Sequence, residues 1–117
     1  MEAKSGMRTI TGAVSHHERE VVELRVDREL ATEYLKAAME SLADPNERAA
    51  GLRALRAVAE AYGGLDAVAA DAGIRRETLD RALSPRGNPT LKTLLAVLKV
   101  VGMRLSVEED RRPRYGT

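Results

Sequence analysis

Two short apolar runs separated by one glycine, in residues 65–83, constrain the fold of this chain most strongly. The first run places four apolar residues at the spacing of one α-helical face: Leu65, Val68, Ala69 and Ala72. Gly73 follows at once, and glycine readily adopts the positive φ that ends a helix and turns the chain. The second run places Leu79, Ala82 and Leu83 on one face. The pattern therefore predicts two short helices joined by a tight turn, which is the arrangement of a helix-turn-helix.

The outward face of the second helix is rich in side chains that can contact DNA. The second helix of such a unit presents its N-terminal side chains to base edges in the major groove, and arginine is well matched to guanine. Four residues are the candidates for base reading: Arg76, Glu77, Thr78 and Arg81. The alternative is an ordinary amphipathic hairpin, in which Glu77 and Arg81 form a surface ion pair.

The run from Ala72 to Val107 resembles the HigA-type addiction-module antidote family, whose helix-turn-helix is of the XRE or phage-repressor kind. Its most specific element is the sequence GNPTL at residues 87–91, and a weaker likeness extends over residues 29–41. The resemblance implies an all-α, lambda-repressor-like domain of about five helices, with one or two short peripheral strands. Arg75 departs from the family pattern, where a small capping residue such as serine is usual, and so does Asp80, where an aromatic is common.

The resemblance implies an antitoxin that neutralises a RelE- or HigB-like toxin and represses its own operon as a homodimer on an inverted-repeat operator. It also assigns DNA-backbone contacts to the loop that follows the second helix, at Ser84, Arg86, Gly87 and Asn88. Arg75 at the start of that helix is a further candidate for a backbone contact. Two alternatives stay open, namely a stand-alone XRE-type transcription regulator and a pure protein-interaction module. A separate alternative for the loop is that its residues are plain turn residues.

The charges of the chain are segregated along its sequence. Residues 18–47 hold nine acidic and four basic residues, whereas residues 48–104 hold ten basic and five acidic ones, although the net charge of the chain is only +1. A basic helical module preceded by an acidic one suggests a polyanion partner and a basic protein partner. The candidate toxin-binding residues are two apolar and two acidic side chains: Val22, Leu24, Glu33 and Glu40. The alternative is that both regions are solvated faces of one domain.

The first half of the chain is expected to contain a tail, a strand and two helices. Residues 1–17 have no sustained period and predict a mobile tail. The segment 18–43 is expected to hold a short strand, because Val22, Leu24 and Val26 alternate with polar residues, and then a helix from about Arg28 to Leu42 capped by Asp27. Pro45 is expected to open the next helix, which ends near Tyr62.

The second half is expected to complete a helix-turn-helix domain over residues 44–107. Thr90 can cap a last helix, which Gly102 closes. Met103, Leu105 and Val107 alternate with polar residues and predict a second short strand, which would pair with the first or with its copy in another subunit. The mixed-charge residues 108–117 are expected to be disordered.

Composition argues against several other classes of protein. The 117 residues are enough for one domain, and they include no cysteine and no apolar run long enough to span a membrane. With no secretory leader visible, a cytoplasmic location is expected. Three tyrosines are the only aromatic residues, so duplex DNA is favoured over single-stranded nucleic acid. His16 and His17 both lie in the expected tail, so neither a catalytic site, a metal site nor a cofactor is predicted.

Overall fold

A computed structural model describes residues 15–111 of the chain. This part is all-helical and contains six helices and no strand. The helices are α1 (His16–Val26), α2 (Arg28–Ser41), α3 (Arg48–Ala61), α4 (Gly64–Ala72), α5 (Arg76–Ala82) and α6 (Leu91–Val101). The central helix is α3, which packs against α1, α2, α4 and α6. The described helices include none with both the length and the apolar character needed to cross a membrane.

Helix α1 occupies the segment for which a strand was predicted, and that prediction was wrong. Ser15 and Glu18 form a reciprocal capping box, in which the Ser15 hydroxyl accepts from the Glu18 N–H at 3.0 Å and the Glu18 carboxylate accepts from the Ser15 N–H at 2.9 Å. These bonds start a helix, and Val21 and Leu24 then reach the core at helical spacing. The alternation of Val22 with Leu24 was misleading because Val22 lies outside the core.

The predictions for the two ends of the chain are corrected in part. His16 and His17 belong to α1 and not to a tail, while residues 1–14 lie outside the described part of the chain. No strand forms over residues 103–107, because the first candidate strand is helical and so offers this segment no edge to pair with. Residues 108–111 have neither helix nor strand, and residues 112–117 lie outside the described part.

Helices α2 and α3 form the largest packing contact of the described chain. The predicted cap of α2 is confirmed, since the Asp27 carboxylate accepts from the Leu30 N–H at 3.0 Å. Helix α3 begins at Arg48 and not at Pro45, because Asp44 instead closes a turn by accepting from the N–H of Asn46 at 2.9 Å. The core between the two helices consists of small and branched side chains: Ala31, Leu35, Ala38, Leu52, Leu55 and Val58.

The three C-terminal helices follow the sequence prediction closely. Gly73 takes a left-handed conformation with φ of 71° and joins α4 to α5. Leu79 and Leu83 are buried and hold α5 on the rest of the domain. Thr90 caps α6, as its hydroxyl accepts from the Thr93 N–H at 3.1 Å. The six described helices therefore form one core to which α1 and α2 contribute together with residues 44–101.

Arg28 joins the beginning of α2 to the end of α6. Its guanidinium donates to the Val101 carbonyl at 2.7 Å and lies 5.4 Å from the centre of the Tyr62 ring. The Tyr62 hydroxyl in turn donates to the Leu24 carbonyl at 2.6 Å. Contacts between residues far apart in sequence thus fix the N-terminal helices against the C-terminal ones.

Candidate functional site

The four candidates for base reading all lie on the seven-residue helix α5. Arg76, Glu77 and Arg81 are exposed, and Thr78 is half-buried. Because Leu79 faces the core with no exposed surface, the opposite side of α5 faces outward. The structure therefore places these side chains together on one short helix, immediately after the turn at Gly73.

Arg76 is held between two carboxylates from different helices. Its Nη1 donates to Asp66 of α4 at 2.9 Å, and its Nε lies 3.4 Å from the carboxylate of Asp80 on α5. The hydrogen bond to Asp66, with the charge of Asp80, raises the pKa of Arg76 further above its usual value. Its Nη2 donates no hydrogen bond to any residue of the described chain. Arg76 is thus an oriented cation with one nitrogen left to donate.

Asp80 also connects α5 to the central helix. Its carboxylate accepts from Arg56 of α3 at 2.9 Å, and Arg56 lies 3.5 Å from Glu60, which bonds to His17 of α1. A continuous set of charged contacts thus runs from α4 through α5 and α3 to α1. The sequence analysis assigned no role to Asp80, although its spacing of four residues from Arg76 was a visible signal for an ion pair.

Three exposed arginines around α5 are without a carboxylate partner in the described part of the chain. Arg75 precedes α5, Arg81 lies in its last turn, and Arg86 lies in the loop that follows. The sequence analysis considered an ion pair between Glu77 and Arg81. Both residues are described by the structure, and they do not form one. Unpaired guanidinium groups can bind phosphate or base edges without first breaking an internal ion pair.

The loop after α5 is held by its own hydrogen bonds. The Ser84 hydroxyl donates to the Arg81 carbonyl at 2.7 Å, and the Gly87 N–H donates to the Ser84 carbonyl at 2.8 Å. A Cβ on Gly87 would lie 2.0 Å from the carbonyl oxygen of Ala82, so only glycine fits there. The donors of Ser84 and Gly87 are therefore engaged within the protein, whereas Asn88 and Arg86 are exposed.

Two further basic side chains lie beside this surface. The sequence analysis singled out neither of them. Arg53 of α3 lines a small cleft together with Ser84 and Pro85. The Lys92 ammonium of α6 lies 3.7 Å from where a Cβ on Gly73 would be. Both residues belong to helices outside the α4–α5 unit, so no local sequence pattern indicated that they approach it.

The candidate toxin-binding residues divide into exposed and buried ones. The exposed fraction of Val22 is 54%, and Glu33 and Glu40 are exposed without an ion pair in the described chain. Leu24 has no exposed surface and packs in the core, where a partner cannot reach it. Val26, one helical turn after Val22, is 80% exposed. The accessible candidates are therefore apolar residues of α1 and acids of α2.

One acid of α1 has a partner inside the domain. Glu20 accepts a hydrogen bond from the Tyr34 hydroxyl at 2.8 Å, and this bond raises the pKa of Tyr34.

Within residues 15–111, no three His, Asp or Glu side chains cluster closely enough to hold a metal ion. His17 contacts Glu60 and Glu20. These groups are therefore best explained as contacts between helices.

Comparison with known proteins indicates the family. A family model described as "Probable addiction module antidote protein" matches residues 17–109. An uncharacterized protein of Haemophilus influenzae Rd is 46% identical over 44 residues, which are 38% of this chain and 45% of that protein. The similar stretch thus spans less than half of that relative. No solved structure matches the chain.

Proposed function

Because the chain belongs to the addiction-module antidote family, we propose that it is a DNA-binding antitoxin that neutralises a RelE- or HigB-like toxin in the cytoplasm and represses its own operon. The observation that carries the DNA-binding part is the set of unpaired, exposed arginines at α5, namely Arg75, Arg81 and Arg86. No catalytic step is proposed for it.

In this proposal, α4 and α5 form a helix-turn-helix of the lambda-repressor kind, and α5 enters the major groove. Arg81 is the foremost base-reading residue because its guanidinium is free, and Arg76 is the second because it is already oriented. Glu77 and Thr78 lie near the N-terminal end of α5, where such helices meet base edges. Arg81 would donate to the O6 and N7 atoms of a guanine, and Arg76 would donate to a guanine from its Nη2.

The DNA backbone would be bound on either side of α5. Arg75 precedes the helix, and Arg86 and Asn88 follow it with side chains that no described residue engages. Ser84 and Gly87 were expected to contact phosphate as well, but their donors stabilise the loop. We therefore assign these two residues the role of holding Arg86 in place.

We further propose that the DNA-bound species is a homodimer on an inverted repeat. A seven-residue helix covers only a few base pairs, so two copies about one helical turn apart are needed for high affinity and specificity.

The toxin would bind the acidic region that precedes the helix-turn-helix. Toxins of the RelE and HigB kind act on ribosome-bound RNA, so we expect them to have a basic surface. Glu33 and Glu40 would attract that surface, and Val22 and Val26 would supply apolar area. Leu24 is buried, so it would not contact the toxin and would only support α1 from within the core. Since this face lies on α1 and α2, the antitoxin would bind DNA and toxin together.

The test of DNA binding is a mobility-shift titration with the duplex from directly upstream of its own coding region. The matched control is a shuffled duplex of the same length and base composition. We expect tighter binding to the upstream duplex by at least the roughly 10³-fold ratio that separates specific from nonspecific binding. Equal affinity for both duplexes would contradict self-repression.

The test of toxin binding is co-expression with the product of the neighbouring reading frame, followed by purification through a tag on that product. We expect the two proteins to co-purify and the combination to rescue cell growth. If the two proteins neither co-purify nor restore cell growth together, but the chain binds DNA selectively, the stand-alone regulator is favoured. Failure of DNA binding with successful co-purification would favour the interaction module.

A further inference from the structure

The contacts of Arg76 suggest a finer division of labour within the proposed DNA-binding surface. A surface arginine ordinarily samples many rotamers, and binding must immobilise it at an entropic cost. Arg76 is instead fixed from two sides, by Asp66 through Nη1 and by Asp80 beside Nε. These carboxylates lie on different helices, so the guanidinium plane is set by the packing of α4 on α5.

The charge around Arg76 is balanced. Asp80 contacts Arg56 as well as Arg76, so two carboxylates face two guanidinium groups, and these four side chains carry no net charge. Glu60 beside Arg56 adds a further carboxylate and no positive charge. A neutral cluster is a poor anchor for phosphate, whose attraction depends on net positive charge. It still offers directional donors, because the Nη2 of Arg76 donates to no described residue. Such a group suits a base edge better than the DNA backbone.

We propose that Asp66 and Asp80 are positioning residues that orient Arg76 toward a guanine, and thereby set base preference at one position of the DNA site. This inference rests on the proposed DNA-binding function. Arg75 and Arg86 have no carboxylate partner in the described chain and supply affinity that does not depend on sequence. Asp66 and Asp80 touch no DNA in this arrangement and act only through Arg76.

The experiment uses Asp66→Asn in the full chain, because the Asp66 side chain is 85% exposed and, among the described residues, forms its ion pair with Arg76 alone. Duplexes are first selected by the unaltered protein from a random-sequence pool. Dissociation constants are then measured for the best duplex and for variants of it that change one base pair at a time. Random duplex is measured in parallel.

We expect Asp66→Asn to reduce the preference at one base position by about two- to fivefold, the range that an exposed ion pair can contribute. That position should be the one affected by Arg76→Ala. Binding to random duplex should hold or increase, because one negative charge has been removed. In the Arg76→Ala background, Asp66→Asn should cause no further loss of preference, since the group that it positions is gone.

The matched control is Asp71→Asn, which removes the same charge from the same helix but breaks a contact with Lys99 of α6. It should change all duplexes by a similar factor. A second variant, Asp80→Asn, should reduce the base preference at the same position as Asp66→Asn does. Asp80 also contacts Arg56, so the melting temperature of the Asp80→Asn variant is compared with that of an Arg56→Met variant. The Arg56→Met variant loses the same contact with α3 but keeps Arg76 paired with Asp80.

Three outcomes would overturn the inference. Unchanged base preference in Asp66→Asn, or equal weakening at every position, would show that the two carboxylates do not position a base-reading group. A loss in Asp66→Asn that persists at full size in the Arg76→Ala background would assign the effect to another residue. No selection from the pool by the unaltered protein would contradict sequence-specific binding itself, and so the proposed function, whereas the first two outcomes leave that function intact.

Discussion

Helices α1–α2 and helices α4–α5 belong to the same core but present their charges differently. Helices α1 and α2 pack on α3 through buried apolar side chains, and their exposed acids Glu33 and Glu40 are unpaired in the described chain. Helix α5 is short, and ion pairs through Asp80 supplement the burial of Leu79. Unpaired charged side chains suit fast, long-range attraction of a partner, whereas charged side chains held in ion pairs suit discrimination between similar targets. Under the proposed function, this difference would let one small domain serve two different kinds of partner.

The largest expected effect separates core from surface within α1. Leu24→Ala should lower the free energy of unfolding by about 2–5 kcal/mol, because a fully buried leucine leaves a cavity when it is truncated. Val26→Ala should change it by less than about 0.5 kcal/mol, since Val26 is 80% exposed. Urea unfolding of both variants measures the difference. Equal losses would show that α1 packs the other way round.

The next prediction concerns the free arginine of α5. Arg81→Ala should weaken binding to the preferred duplex by about 1–3 kcal/mol and relax selectivity at one base pair, because a bidentate contact to guanine is lost. Thermal stability should stay nearly unchanged, as Arg81 is exposed and forms no ion pair with a described residue. Arg19→Ala, which removes an exposed charge from α1, is the matched control. If both variants weaken specific and random duplex alike, Arg81 contributes only charge.

A smaller effect is expected on the acidic side. Glu33→Lys combined with Glu40→Lys should slow association with the toxin and reduce its dependence on salt, because these acids steer encounter more than they hold the complex. Stopped-flow mixing at two salt concentrations measures this. The control carries two charge reversals away from α1 and α2, Glu47→Lys and Asp71→Lys. The surface assignment fails if the control slows association as much as the test variant does.

The smallest effect concerns the start of α1. Ser15→Ala should cost about 1 kcal/mol, the usual contribution of a helix N-cap. Hydrogen bonds from the backbone and from the side chain of Ser15 lower the pKa of Glu18, so the stabilisation by Glu18 is complete above the usual glutamate pKa and is lost as the pH falls through the lowered value. Ser15→Ala keeps the backbone bond but removes the side-chain bond, and with it that part of the stabilisation. The difference between the two proteins should thus shrink in acid. A difference that grows below about pH 4 would contradict this account of the cap.

The sequence predicted the C-terminal half of the fold better than the N-terminal half, for a physical reason. Gly73, Thr90 and Gly102 mark helix ends unambiguously, because each takes a special conformation or caps backbone groups. In α1, alternating apolar residues imitated a strand, and the capping box at Ser15 and Glu18 was the signal that should have decided the matter.

The candidate site was predictable only as far as local pattern reaches. The outward side chains of α5 followed from helical periodicity. The pairing of Arg76 with Asp80 was visible in their spacing of four residues. The contacts of Arg76 with Asp66 and of Asp80 with Arg56 were not, because Asp66 and Arg56 lie on other helices. Sequence alone also could not show that the donors of Ser84 and Gly87 are engaged by the loop, since that depends on its folded path.

The hydrogen bond from Arg28 to the Val101 carbonyl has a consequence for how the chain reaches its native state. The two residues are 73 positions apart, and the contact cannot form until almost all of the described helices have been synthesised. Helices α1 and α2 therefore complete their packing only after α6 is available, and closing so long a loop slows folding relative to purely local helix pairing. We expect unfolding to follow as one cooperative transition, with no stable N-terminal half left behind.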